Sequence, residues 1–122
     1  MVAVGVDLIE VERIAASLEK YGQRFLDRIF TAREQKYCDG RAENLAARFA
    51  AKEAVAKAIG TGIGDISWQD IEIVNEENGR PTVVLHGAAE AMSRTMGLEL
   101  WSVSLSHTQT HAIGMVVAAN TI

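Results

Sequence analysis

"RFAAKEAVAKAIGTGIGDISWQDIEIVN", residues 48–75, changes its period halfway along. Up to Ile59 the composition is that of a helix, rich in alanine with charges at turn spacing. Extended back to Glu43, it predicts one long helix over 43–59, with Leu45, Phe49, Ala56 and Ile59 as a narrow apolar stripe and Gly60 as its stop. Beyond Gly60, Gly62 and Gly64 the runs "ISWQDIEIVN" and "RPTVVLH" are β-rich, and the Asn78-Gly79 pair between them is a hairpin signal. Pro81 falls near the start of the second run, where a missing donor is tolerated.

The same reading extends to both ends. Residues 2–6, "VAVGV", predict a short strand with Val2, Val4 and Val6 on one face and Asp7 on the other, at the strand's end. "IEVERIAASLEKY" predicts a helix closed by Gly22, and "FTAREQKYCDG" a second, opened by Thr31 and Glu34 at capping-box spacing. "GAAEAMSRTMG" predicts a short helix, and "LWSVSLSH" and "HAIGMVVAA" a second strand pair around "TQT". The order β, three helices, two strands, helix, two strands predicts a single α+β domain over residues 1–122, its helices packed on a mainly antiparallel sheet.

Bulk properties exclude several classes. At 122 residues, 48% hydrophobic and 23% charged, the chain suits one core. No apolar run approaches the ~20 residues that span a bilayer, and the amino terminus has no basic segment before an apolar one, so a soluble, non-exported protein without membrane attachment is expected. Cys38 is the sole cysteine, which rules out an internal disulfide and fits a reducing cytoplasm. The net charge of −4 hides an asymmetry: residues 1–57 hold ten Lys or Arg against nine Asp or Glu, residues 58–122 two against seven. Lys20, Arg24, Arg28, Arg33 and Lys36 form either a positive face for acidic partners or phosphates, or a solvated helix surface. The acidic total and the lack of a binding motif argue against nucleic acid.

Four features carry candidate chemistry. Glu53 lies at the margin of the helix's apolar stripe, where a carboxylate wants a cation; that cation is either Lys57 at i,i+4 or a metal. Asp7 is either a helix N-cap, with Glu10 at capping-box spacing, or a ligand at a strand end. If the first strand lies beside the long helix, Asp7 and Glu53 converge on one hard cation, and two carboxylates plus phosphate oxygens is how magnesium is commonly held. "GTGIG", residues 60–64, permits close backbone approach but follows a helix C-terminus, whose dipole repels anions. An anion there needs side chains such as Lys57, Lys52 and Arg48, or the metal; the other reading is a plain C-cap and turn. In "SLSHTQTH" His107 ends a strand at a turn, where it either hydrogen-bonds phosphate or has no task. With His111 it lacks the further ligands zinc needs, and no G-x-S-x-G elbow marks a hydrolase. His86, Trp68 and Trp101 read as structural.

Taken together, "GVDLIEVERI" (5–14), "RFAAKEAVAKAIGTGIG" (48–64), "DIEIVNEENGRP" (70–81) and "SLSHTQTHAIGMVVA" (104–118) resemble the holo-acyl-carrier-protein synthases, the small homotrimeric bacterial branch of the 4′-phosphopantetheinyl transferases. The resemblance covers essentially the whole chain. It implies that Asp7 and Glu53 hold Mg2+ together with the diphosphate of coenzyme A, and that Lys57 neutralises phosphate oxygens. It also implies that Arg48, Gly62, His107 and Thr108 line the coenzyme site, with some residues acting across a subunit boundary. The implied reaction, in fatty acid biosynthesis, is attack by a serine of apo-acyl carrier protein on the β-phosphorus of coenzyme A, with 3′,5′-ADP leaving. Glu53, directly or through a metal-bound water, takes the serine proton. Arg13, Lys20, Arg24 and Arg28 are the implied contacts for the acidic carrier, although Lys20, Arg24 and Arg28 share a face only if the first helix runs past Gly22.

Two other classes use the same residues. A non-catalytic nucleotide-binding oligomer leaves coenzyme binding intact when Asp7 or Glu53 becomes Ala, and a metal-dependent phosphohydrolase breaks coenzyme A down without any carrier.

Overall fold

The computed structural model describes residues 1–121. β1 (Val2–Glu10) opens the chain, followed by α1 (Val11–Tyr21), α2 (Gln23–Ile29), α3 (Ala32–Cys38) and α4 (Ala42–Ile59). A 3-10 turn at Trp68–Asp70 then leads into β2 (Ile71–Asn75), β3 (Pro81–Leu85), α5 (Gly87–Thr95), β4 (Leu100–His107) and β5 (His111–Ala119). The five strands pair antiparallel throughout, but among the described residues they divide into two sheets, β1-β5-β4 and β2-β3, rather than one.

Local chemistry explains most of the boundaries. Gly22 takes φ 57° and ends α1. Thr31 and Glu34 close a complete capping box on α3, and Gly79, at φ 86°, turns the β2-β3 hairpin after Asn78. Three expectations change. β1 runs four residues further than "VAVGV", because β5 pairs with it through Glu10↔His111; Asp7 is therefore in mid-strand and is not an N-cap. Residues 23–29 form a helix of their own, and "SWQD" is a 3-10 turn instead of a strand start.

The long helix is also not amphipathic with a narrow stripe. α4 is buried nearly all round and packs against β1, β5, β4 and β2 as well as α1 and α3. Eight of its eighteen residues are alanine, which lets it lie directly on strand backbone. Gly5 on β1 and Gly114 on β5 complete that contact: a Cβ at Gly5 would overlap the Ala54 carbonyl, and one at Gly114 the backbone of Ala51. Ala3, Gly5, Asp7 and Ile9 therefore face α4, and Val2, Val4, Val6 and Leu8 face outward, Val4 at 62% and Leu8 at 63% exposure.

Candidate active site

Asp7 follows Gly5 by two residues, so it points to the same side of β1, and its cross-strand partner is Gly114. Both glycines touch α4, which brings Asp7 against the helix one residue pair beyond the closest approach. There Lys57 Nζ donates to Asp7 Oδ1 at 3.0 Å and to the Val6 carbonyl at 3.1 Å. Glu53 lies one turn earlier on α4, half-buried. Burial, and then the negative charge of Asp7, push its pKa above the ordinary carboxylate value, while Lys57 pulls the other way. The structure thus brings Asp7, Glu53 and Lys57 into one corner between β1 and α4. Of the two readings of Lys57, the i,i+4 pair with Glu53 does not form among the described residues; the ammonium turns to Asp7.

This corner holds two carboxylates against one ammonium. It offers hard oxygen donors with an excess of negative charge, a donor set that fits a divalent cation. Gly60 closes α4 in the left-handed region, and Gly62, at φ 69°, lies just beyond the same end of the helix with open space where a side chain would be.

A second cluster forms elsewhere. Arg48 is buried on α4, with its guanidinium 4.4 Å from the Tyr37 ring centroid and donating to Asn75 Oδ1. Its Nε has no hydrogen-bond partner among the described residues. Arg48, Tyr37, Asn75 and His107 line a cavity of about 210 Å³. Next to it His107 shares a shallower depression with Glu43 and Thr108, whose hydroxyl accepts from the Thr110 and His111 N–H groups at 3.2 and 3.1 Å. Arg48 and Glu53 are five residues apart on a helix, about 140° in azimuth, so they point away from each other. Within one chain the candidate residues divide between two places: Asp7, Glu53, Lys57 and Gly62 at one, Arg48, His107 and Thr108 at the other, with Lys57 and Arg48 on opposite halves of α4.

Of the basic residues, Arg13 and Lys20 lie two turns apart on α1. Arg24 and Arg28 are one turn apart on α2 and line a groove of about 470 Å³ with Tyr21, Phe25 and Trp68. The break at Gly22 keeps Lys20 off the helix that carries Arg24 and Arg28.

One sequence expectation fails outright. Lys52 does not reach any anion site: its side chain is fully buried and paired with Glu34 at 2.8 Å. In the sequence Glu34 reads only as a capping residue, and Tyr37 and Asn75 carry no signal before folding. His86, read as structural from the sequence, meets a carboxylate on β2. Its Nε2 lies 3.1 Å from Glu72, which also accepts from Thr31 and Arg33. Burial opposes ionisation of Glu72, but these three donors hold its pKa down at about 2.

Two carboxylates thus lie beside a lysine at the seam of a strand and the central helix, with an arginine-histidine cavity apart from them. The chain belongs to the 4′-phosphopantetheinyl transferase superfamily, whose family model matches residues 3–116, and within it to the holo-[acyl-carrier-protein] synthases. It is 46% identical over 121 residues to the holo-[acyl-carrier-protein] synthase of Koribacter versatilis, covering 96% of this chain and 97% of the relative. The crystal structure of the Helicobacter pylori synthase in complex with coenzyme A superposes with a TM-score of 0.87 at 29% identity, over 95% of this chain and 99% of that one. The Bacillus anthracis synthase in complex with CoA (3′,5′-ADP) gives 0.80 at 34% identity, over 98% and 96%.

Proposed function

We propose that this chain transfers the 4′-phosphopantetheine group from coenzyme A to a serine of apo-acyl carrier protein, releasing 3′,5′-ADP, as a Mg2+-dependent enzyme of fatty acid biosynthesis. The observation that carries the reading is the convergence of Asp7 and Glu53 beside Lys57. Asp7 and Glu53 would hold Mg2+, whose chemistry is to neutralise the diphosphate oxygens of coenzyme A. Lys57, half-exposed at the rim, is placed to bind a phosphate oxygen as charge builds on the leaving 3′,5′-ADP. Glu53, with its raised pKa, accepts the serine proton, directly or through a water; the serine oxygen bonds to the β-phosphorus and the bond to the 3′,5′-ADP oxygen breaks.

The division of the coenzyme residues supports a homotrimer in which sites lie between subunits. Arg48, His107 and Thr108 of one copy would bind the nucleotide end of the coenzyme whose diphosphate lies on Asp7, Glu53, Lys57 and Gly62 of the next. The outward face of β1 and β5 supplies the apolar surface for such an interface. The groove beside Arg24 and Arg28, with Arg13 and Lys20 on α1 as further contacts, takes the acidic carrier, and steering by these charges weakens as salt rises. Cys38, a buried free thiol, supports a place in a reducing cytoplasm. No helix among the described residues is long and apolar enough to cross a membrane.

The test follows 3′,5′-ADP release from coenzyme A and Mg2+, with and without apo-acyl carrier protein. Release that requires the carrier is expected; release at the same rate without it identifies a phosphohydrolase instead.

A further inference from the structure

Lys52 belongs to the motif that marks the active helix, yet the chemistry above gives it nothing to do. Its side chain is 0% exposed. Nζ donates to Glu34 Oε1 at 2.8 Å, to the Trp68 carbonyl at 3.0 Å and to the Ile71 carbonyl, so all three of its N–H groups are used. Both oxygens of Glu34 are engaged: Oε1 also accepts from the Thr31 N–H at 2.9 Å and Oε2 from the Ile73 N–H at 2.9 Å. The pair joins α4 to the start of α3, to the 3-10 turn and to β2.

Stability alone does not call for this arrangement, since a buried ion pair is often matched or bettered by apolar side chains of the same volume. What it supplies is direction. At its closest approaches to β1 and β5, over Gly5 and Gly114, α4 meets the strands as alanine against glycine, which fixes how close the helix lies but offers few ridges there to stop it turning or sliding. Three acceptors around one ammonium are satisfied at a single rotation and height of the helix. Glu53 is the next residue. A turn of about 20° moves a carboxylate carried about 6 Å from the helix axis by about 2 Å, and misplacement of a reacting group by about 1 Å can cost about 100-fold in rate.

We propose that Lys52 is a positioning residue: its buried pairing with Glu34 and two carbonyls sets the rotation of α4 and thereby the angle at which Glu53 meets Asp7. The inference rests on the transferase reading above. Its test compares the full-length wild type with Lys52→Met and with the charge-free pair Glu34→Gln/Lys52→Met, in which the glutamine amide oxygen retains the capping box. Unfolding curves give the folded fraction of each at the assay temperature, and initial rates with coenzyme A and apo-acyl carrier protein give kcat and KM. The expected result is a fall of at least about tenfold in kcat per folded molecule in both variants, with KM for the carrier within about twofold of wild type, because the charged carrier contacts Arg13, Lys20, Arg24 and Arg28 all lie on α1 and α2. A kcat per folded molecule within about twofold of wild type, with lost activity merely following the folded fraction, overturns the proposal and leaves Lys52 a core residue only. A wild-type protein that transfers nothing defeats the transferase reading itself, a separate outcome.

Discussion

Asp7 and Glu53 bring two negative charges to one corner of the molecule and Lys57 balances one of them. Burial first, and then the charge of Asp7, raise the pKa of Glu53, and the direction bears on stability. A carboxylate with a folded pKa above its unfolded value costs the fold stability where it is ionised, and that cost disappears as pH falls through the folded pKa. Glu72 is the opposite case: its pKa of about 2 contributes stability above the ordinary carboxylate range that is lost as pH falls toward 2. Glu53→Gln is therefore expected to keep or raise the unfolding midpoint at neutral pH, while Glu53→Gln and Asp7→Asn each lower kcat by about 100-fold or more. Paired denaturation and rate measurements check both halves; a variant that loses stability but keeps its rate contradicts the assignment. These residue types were legible in the sequence because carboxylates and a lysine on the margin of a helix need partners. Which partner each finds was not, since Lys57 turns to Asp7, fifty residues away, and Lys52 finds Glu34 in the core.

At the scale of elements, the corner that joins Asp7, Glu53 and Lys57 exists because α4 lies on bare strand backbone. Gly5→Ala places a methyl into the Ala54 carbonyl and forces helix and sheet apart. Overpacking usually costs about 1–3 kcal/mol, and contact with backbone puts this substitution at the upper end or beyond. The expected outcome is a loss of about 3 kcal/mol in chemical denaturation and, in the molecules that remain folded, a lowered kcat as Asp7 moves from Glu53. A neutral Gly5→Ala contradicts the packing argument. Elements set by local chemistry were readable: the Thr31-Glu34 box, the stops at Gly22 and Gly60, and the Asn78-Gly79 hairpin. Those set by distant pairing were not. Nothing in "DLIE" distinguishes a strand from a helix start until β5 lines up along it, and the seven residues of α2 are too few to show a period.

For the whole molecule, the outward face of β1 and β5 carries Val2, Val4, Val6, Leu8, Ile113 and Met115, all exposed. The valines share a face as their spacing requires, but alternation alone does not say which face meets the core; Gly5 and Ala3 decide it by admitting α4. If this face joins copies, Val6→Glu yields a smaller particle by sedimentation and abolishes transfer, because each site then lacks its Arg48 and His107. A monomeric wild type with full activity contradicts the shared-site account. The most direct measurement of the central claim is the intact mass of apo-acyl carrier protein after incubation with this protein, coenzyme A and Mg2+. The account predicts a gain of one phosphopantetheine group per carrier, absent when the carrier's serine is replaced by alanine; an unchanged carrier mass in the presence of folded wild-type protein contradicts it.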